Sequence, residues 1–109
     1  DKKITNEEIA KLTLKCLKKN VPIEVPGIAF LSGGQIEKEA TKNLNLINKH
    51  NDTSFIMTYS FGRALQKGAL NFWSKDIANI KGTQDFFNHR ANMCTLAAQG
   101  KWSAELETK

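Results

Sequence analysis

The sequence contains no apolar run that approaches the ~20 residues a membrane-spanning helix requires. Its start, Asp1 to Asn6, is polar and leads into a predicted helix, so it does not resemble a signal peptide. We therefore expect no membrane partner and a cytoplasmic location. Because the chain begins with a residue other than Met and has no targeting segment, we also expect it to be part of a longer protein.

Cysteine and histidine are scarce, with two residues of each type. Cys16 and Cys94 both fall on the apolar stripe of a predicted helix, where a free thiol behaves as a small buried hydrophobe. We therefore predict two reduced, buried and inert thiols. His50 and His89 stand apart, with no further ligand at metal-binding spacing. No metal site and no cofactor is expected.

The formal net charge is +5, but the basic residues are scattered along helical positions beside Glu or Asp. Lys15, Lys18 and Lys19 lie near the end of the first predicted helix, where they complement the negative end of its dipole. No row of aromatic and Arg residues and no zinc or RNP motif is present. We therefore predict a solvated helix surface and no nucleic-acid partner.

The hydrophobic pattern predicts the order helix, strand, helix, strand, helix, helix. The first helix begins at a capping box of Thr5 and Glu8 and stops before Pro22. Short apolar runs at 27–31 and 55–59 are typical of strands buried on both faces of a parallel sheet. The later helices are predicted over about 35–49, 63–73 and 79–99, with Gly100 as the last C-terminal cap. The predicted buried helix faces contain Ile9, Leu12, Cys16 and Leu17, then Ile36, Ala40, Leu44 and Ile47, then Ile80, Phe87, Ala91 and Cys94.

Two strand–helix units therefore follow each other, with Ser32 and Ser60 standing 28 positions apart. Strands that alternate with helices favour parallel pairing through right-handed crossovers. Two such strands would leave apolar edges unpaired, and an eight-stranded β/α barrel typically needs ~250 residues. We predict an α/β chain that forms the last two strand–helix units plus the C-terminal helix of a (β/α)8 TIM barrel, incomplete as given. Residues 1–109 are then the C-terminal part of one barrel domain, with no separate second domain.

Both predicted strands end in Ser and Gly and run into a helix. The two strings are Phe30-Leu31-Ser32-Gly33-Gly34-Gln35 and Tyr59-Ser60-Phe61-Gly62-Arg63-Ala64-Leu65. Taken alone, Ser-Gly-Gly also fits a tight strand-to-helix turn, and Arg63 also fits a solvated side chain. The repetition of the pattern in two successive units is the stronger signal.

Carboxyl ends of neighbouring parallel strands meet at one edge of a sheet, ~4.8 Å apart. Ser32 and Gly33 should therefore lie beside Gly62 and Arg63. Glycine lets the backbone approach an anion, helix N-termini donate N–H groups, and Arg63 and the hydroxyls of Ser32 and Ser60 donate to phosphate oxygens. No Gly-Lys-Ser/Thr follows the glycines and no Asp closes a strand, so the pattern is not a P-loop. It predicts a phosphorylated small molecule as ligand.

Two long strings in the chain closely resemble class I fructose-bisphosphate aldolase. The strings are Val25-Pro26-Gly27-Ile28-Ala29-Phe30-Leu31-Ser32-Gly33-Gly34-Gln35 and Ser60-Phe61-Gly62-Arg63-Ala64-Leu65-Gln66. Shorter matches occur at Glu39-Ala40, Asn43-Leu44-Asn45, Ile47-Asn48, Ala69-Leu70, Trp73 and Gly100-Lys101-Trp102. The resemblance covers nearly the whole chain and is densest from 25 to 73.

The resemblance implies a glycolytic lyase with a β/α barrel, commonly a homotetramer. Such an enzyme reversibly cleaves fructose 1,6-bisphosphate into dihydroxyacetone phosphate and glyceraldehyde 3-phosphate through a lysine Schiff base, without metal. In that family the two loops hold a substrate phosphate. Carried over residue by residue, the substrate phosphate-binding residues are Ser32, Gly33 and Gly34 in the first loop and Ser60, Gly62 and Arg63 in the second.

The sequence departs from the family in three places. The barrel strands that carry the Schiff-base lysine and the catalytic carboxylates are missing, so no catalytic residue is assigned in this chain. The chain ends at Thr108-Lys109 without a tail that closes in tyrosine, and Phe61 stands where tyrosine is common. The lysines are predicted on polar helix faces or in loops, and only Lys101, next to Trp102, is flanked by apolar bulk.

Two other interpretations remain at this point. The chain could be a stand-alone, non-catalytic phosphate-binding or interaction module, which would be monodisperse by itself. It could also be a basic RNA-binding fragment, whose polyanion binding would depend strongly on salt and would survive Arg63→Ala. An aldolase fragment, by contrast, should require the N-terminal remainder of the barrel as its partner and a phosphorylated sugar as its substrate.

Overall fold

The computed structural model describes residues 3–108, so the polar start at Asp1 and the chain end at Lys109 lie outside the described residues. The elements are α1 (Asn6–Asn20), β1 (Gly27–Phe30), α2 (Glu37–His50), β2 (Ile56–Tyr59), α3 (Arg63–Lys75), α4 (Ile80–Ala98) and a 3-10 helix, η1 (Ala104–Thr108). The predicted order of helices and strands is confirmed, and η1 is an addition to it. The two strands pair in parallel, with Gly27 opposite Ile56 and Phe30 opposite Tyr59, as the alternation of strands and helices predicts.

The predicted helix caps are also confirmed. At the start of α1, the Thr5 hydroxyl accepts a hydrogen bond from the Glu8 N–H at 3.1 Å, and the Glu8 carboxylate accepts from the Thr5 N–H. After α4, Gly100 adopts a φ of 70°, in the left-handed region that favours glycine. Its N–H donates to the Ala97 carbonyl and the Lys101 N–H donates to the Leu96 carbonyl. This pair of bonds is a Schellman motif, which ends the helix.

Helix α2 is the centre of the packing, because it contacts α1, α3 and α4. One buried cluster joins α2 to α3, α4 and the segment after α4, and it contains Ala40, Leu44, Phe61, Ala64, Met93, Cys94, Ala97 and Trp102. A second cluster joins α2 to α1 and β2, and it contains Ala10, Leu14, Ile47, Phe55 and Met57. Of these residues, the sequence predicts Ala40, Leu44, Ile47 and Cys94 on buried helix faces and Phe55 and Met57 in a buried strand.

Several residues predicted on buried faces are exposed. Leu12 and Cys16 face solvent while Ala10 and Leu14 are buried. The packed face of α1 is therefore rotated from the predicted one, although the predicted Leu17 does pack against the second cluster. Ile36 precedes the first turn of α2 and Ile80 is the first residue of α4. These two side chains are exposed because each lies at a helix end, beyond the packed turns.

The prediction that both strands are buried on both faces is wrong within residues 3–108. Met57 is buried on β2, but its neighbour Ile56 is 71% exposed. On β1, Ala29 is exposed in the same way. The described helices cover one face of the two-stranded sheet, and side chains alternate between faces along a strand. Apolar strand residues on the second face therefore meet no other element of the described chain.

The two cysteines should differ in reactivity. Burial raises the pKa of the Cys94 thiol, although a hydrogen bond with the Thr41 hydroxyl at 3.7 Å acts in the opposite direction. Cys16 is exposed, so its predicted burial is wrong. We expect iodoacetamide to alkylate Cys16 in the native protein roughly 100-fold faster than Cys94, because only the thiolate reacts and the buried site must open first. Peptide mapping by mass spectrometry measures both rates. Equal labelling of the two thiols would contradict the described packing, and Cys16→Ser provides the control.

Candidate functional site

The first loop turns sharply before α2 begins. The Ser32 carbonyl accepts a hydrogen bond from the Gln35 N–H at 3.2 Å, and the two residues between them, Gly33 and Gly34, have φ of 63° and 83°. Both values lie where residues with a Cβ are strained, so the turn requires glycine twice. Helix α2 starts at Glu37, so the predicted start at Gln35 is two residues too early.

The second loop continues the parallel ladder and then opens α3. The Ser60 N–H donates to the Phe30 carbonyl at 2.7 Å, which holds Ser60 beside the end of β1. Phe61 turns into the core, where it is 8% exposed, and it contacts Tyr59 with ring centroids 5.2 Å apart. The Gly62 carbonyl accepts from the Leu65 and Gln66 N–H groups, and Arg63 is the first residue of α3.

The two loops together form one recess, which we call the loop recess. It has a volume of about 430 Å³ and is lined by Leu31, Ser32, Gly33, Gly34, Ser60, Gly62 and Arg63. All six residues that are predicted from the sequence to bind phosphate line this recess. Apart from the adjacent residues of the chain, no atom lies within 4 Å of the position that a Cβ would take on Gly33, Gly34 or Gly62. A side chain at any of these positions would therefore project into open space beside the recess.

A second recess adjoins the first between α2 and α3, and we call it the helix recess. Its volume is about 250 Å³, and its polar wall consists of Ser32, Gln35, Glu37, Arg63, Lys67 and Asn71. Arg63 therefore lines both recesses, and Lys67 follows it by one helical turn on the same face of α3. The sequence prediction missed Gln35, Glu37 and Lys67. Of these three, only Lys67 could have been predicted, because it follows Arg63 by four residues on the same helix.

A buried ion pair lies behind the helix recess. Arg90 of α4 is 3% exposed, and its two terminal nitrogens donate to the Glu107 carboxylate of η1 at 2.9 and 2.7 Å. Burial by itself would raise the pKa of Glu107. The hydrogen bonds from Arg90 and from the Trp102 indole outweigh that effect, so the pKa of Glu107 lies below its ordinary value. The pair ties the last described segment to the helix core.

The lysines of the described chain all lie at the surface. Every lysine among residues 3–108 is exposed, including Lys101, whose neighbour Trp102 is buried.

Across the same residues, His, Cys, Asp and Glu form no group of three or more arranged to hold a metal ion. No helix of the described chain is long and apolar enough to cross a bilayer.

Comparison with known proteins points to one family throughout. The sequence model of "Fructose-bisphosphate aldolase class-I" matches residues 1–109. The fructose-bisphosphate aldolase of Dictyostelium discoideum is 40% identical over 106 residues, which is 97% of this chain and 30% of that protein. Human fructose-bisphosphate aldolase C is 46% identical over 96% of this chain and 29% of its own length.

A solved structure agrees with the sequence comparisons. Fructose-bisphosphate aldolase from Plasmodium falciparum superposes with a TM-score of 0.89 at 39% identity, over 94% of this chain and 30% of that one. The chain thus spans about 30% of the length of the curated relatives it matches. Since the family model matches every residue from 1 to 109, the chain belongs to the class I fructose-bisphosphate aldolase family.

Proposed function

We propose that this chain is the C-terminal part of a class I fructose-bisphosphate aldolase barrel and that its two loops bind a phosphate group of the sugar substrate. The observation that carries this proposal is the loop recess, which gathers six predicted residues from two strand ends that lie 28 positions apart. Its wall combines hydroxyls, glycine backbone and one guanidinium. Those are groups that donate hydrogen bonds to phosphate oxygens.

In the proposed reaction, fructose 1,6-bisphosphate is cleaved reversibly into dihydroxyacetone phosphate and glyceraldehyde 3-phosphate through a lysine Schiff base. The role of this chain is to hold a substrate phosphate with Arg63, Ser32 and Ser60, which fixes the distance of the sugar carbons from the reacting lysine. Lysines that form Schiff bases are desolvated. The uniform exposure of the described lysines therefore supports a nucleophile located outside this chain.

The proposed partner of this chain is the N-terminal remainder of the barrel. This remainder would pack on the uncovered face and edge of the two-stranded sheet. There, Ile56 is 71% exposed, and Leu31, just after β1, is 77% exposed. Apolar strand residues of this kind are normally covered in a parallel sheet. The whole enzyme is proposed to be a cytoplasmic homotetramer, as the family resemblance implies, with no nucleic-acid or membrane partner.

Borohydride trapping tests where the nucleophile lies. We expect dihydroxyacetone phosphate with borohydride to label one lysine of the full-length protein, because reduction converts the Schiff base into a stable amine. The labelled peptide should lie outside residues 1–109, and the 109-residue chain expressed alone should give no label. A labelled lysine within the chain would contradict the assignment.

The same preparation separates the aldolase fragment from a stand-alone module. We expect the isolated chain to aggregate and to become soluble on co-expression with the N-terminal part, because its sheet has an uncovered apolar face. Size-exclusion chromatography measures this. A monodisperse chain that binds inorganic phosphate without the N-terminal part would favour the non-catalytic module instead.

A further inference from the structure

The guanidinium of Arg90 faces two carboxylates. Its two terminal nitrogens donate to the Glu107 carboxylate, and one of them also donates to the Thr41 hydroxyl at 3.2 Å. Its Nε atom lies 3.5 Å from Oε2 of Glu37. This second approach is an ion pair without a hydrogen bond. Arg90 Nε and Glu37 Oε2 are both buried atoms without a hydrogen-bond partner within residues 3–108.

The charges of this triad do not cancel. Two carboxylates share one guanidinium, and the stronger, two-pronged contact goes to Glu107. The negative charge of Glu37 is therefore only partly neutralised. Glu37 is also a wall residue of the helix recess, together with Arg63 and Lys67. Gly68 of α3 leaves room for the Glu37 carboxylate there, since a Cβ on Gly68 would collide with it.

We propose that Glu37 is an affinity-determining residue of the phosphate site, and that Glu107 of η1 modulates it by occupying Arg90. This inference rests on the proposed function of the loops. The two recesses share Ser32, Gly34 and Arg63, so a phosphate bound at the loops would lie next to the helix recess, where salt screens charges incompletely. Glu37 repels that phosphate, and docking of η1 keeps the guanidinium from neutralising Glu37 further. Undocking of η1 then raises the affinity for phosphate.

The test compares isosteric variants of the full-length protein, with inorganic phosphate as a competitive probe. Glu37→Gln should lower the inhibition constant of phosphate about three- to tenfold, because it removes a like charge at short range. Glu107→Gln should act in the same direction with a smaller effect. The effect of Glu107→Gln should shrink in the Glu37→Gln background, because the charge that Arg90 would then neutralise is absent.

Glu39→Gln is the matched control. Glu39 stands in the same first turn of α2, so its replacement changes the net charge and the helix dipole equally. Its carboxylate instead accepts a hydrogen bond from Asn6 of α1 at 2.6 Å and does not line the helix recess. We expect the phosphate inhibition constant of Glu39→Gln to match that of the unmodified protein.

Two results would overturn the inference. The first is a phosphate inhibition constant that is unchanged or raised in Glu37→Gln. A variant whose melting temperature changes while its inhibition constant does not would count as this result. The second, which also decides the matter if Glu37→Gln does not fold, is an unchanged constant in Glu107→Gln. If Arg63→Ala weakens phosphate binding while these variants do not tighten it, only this inference fails. If Arg63→Ala also has no effect, the proposed function fails with it.

Discussion

Replacing Arg63 by alanine in the full-length protein is expected to weaken phosphate binding by about 2–3 kcal/mol, or roughly 30- to 150-fold. Arg63 opens α3 and lines both recesses. It is the one cationic side chain among the described residues that line the loop recess, so its loss leaves this chain with only hydroxyl and backbone donors for the phosphate oxygens. For the proposed reaction, the expected readouts are a raised Michaelis constant for fructose 1,6-bisphosphate and a raised inhibition constant for bisphosphate competitors.

Two further variants separate hydrogen-bond geometry from charge. Arg63→Lys keeps the charge but loses the planar guanidinium that matches two phosphate oxygens. Its affinity for phosphate should therefore lie between that of the unmodified protein and that of Arg63→Ala. Lys75→Ala removes an exposed cation from the last turn of the same helix and should leave the inhibition constant unchanged. Unchanged constants in Arg63→Ala would refute the phosphate role of the loops.

The wall of the loop recess could be predicted from sequence because its geometry follows from local rules. A parallel ladder aligns the carboxyl ends of its strands, so Ser32 and Ser60, each two positions or fewer beyond a strand, must lie at the same edge. The glycines at 33 and 34 indicate a left-handed backbone conformation, and both residues have a positive φ. In such cases the residue type and its position in the chain carry the structural information.

The remaining features depend on packing between distant elements. The Arg90–Glu107 ion pair forms because α4 and η1 pack together and bring the guanidinium to the carboxylate. From sequence alone, a charged residue in a helical pattern is predicted to be solvated unless its partner is known. Cys16 shows the reverse error. Its spacing fits the apolar stripe of α1, but α2 covers the face that holds Ala10 and Leu14. The pattern indicates an amphipathic helix, and tertiary packing decides which flank is covered.

Replacing Arg90 by methionine is expected to lower the free energy of unfolding by about 3–5 kcal/mol at neutral pH. The Glu107 carboxylate is 6% exposed, so the variant would leave a buried negative charge that keeps only the Trp102 indole and the more distant His89 ring, whose Nε2 lies 3.6 Å away. Urea-induced unfolding of the full-length protein measures the loss. Lys81→Met, which breaks an exposed ion pair with Asp85 on the same helix, should cost less than about 0.5 kcal/mol.

The pH dependence of this loss has a definite sign. In the unmodified protein the pKa of Glu107 is lowered from its ordinary 4.5, so its stabilising contribution is complete above that value and disappears as the pH falls through the lowered pKa. Without Arg90, burial favours the protonated carboxyl, which carries no charge. The difference between the two proteins should therefore shrink as the pH falls from 7 toward about 3. A pH-independent difference would show that Arg90 acts through packing of its side chain and not through the charge of Glu107.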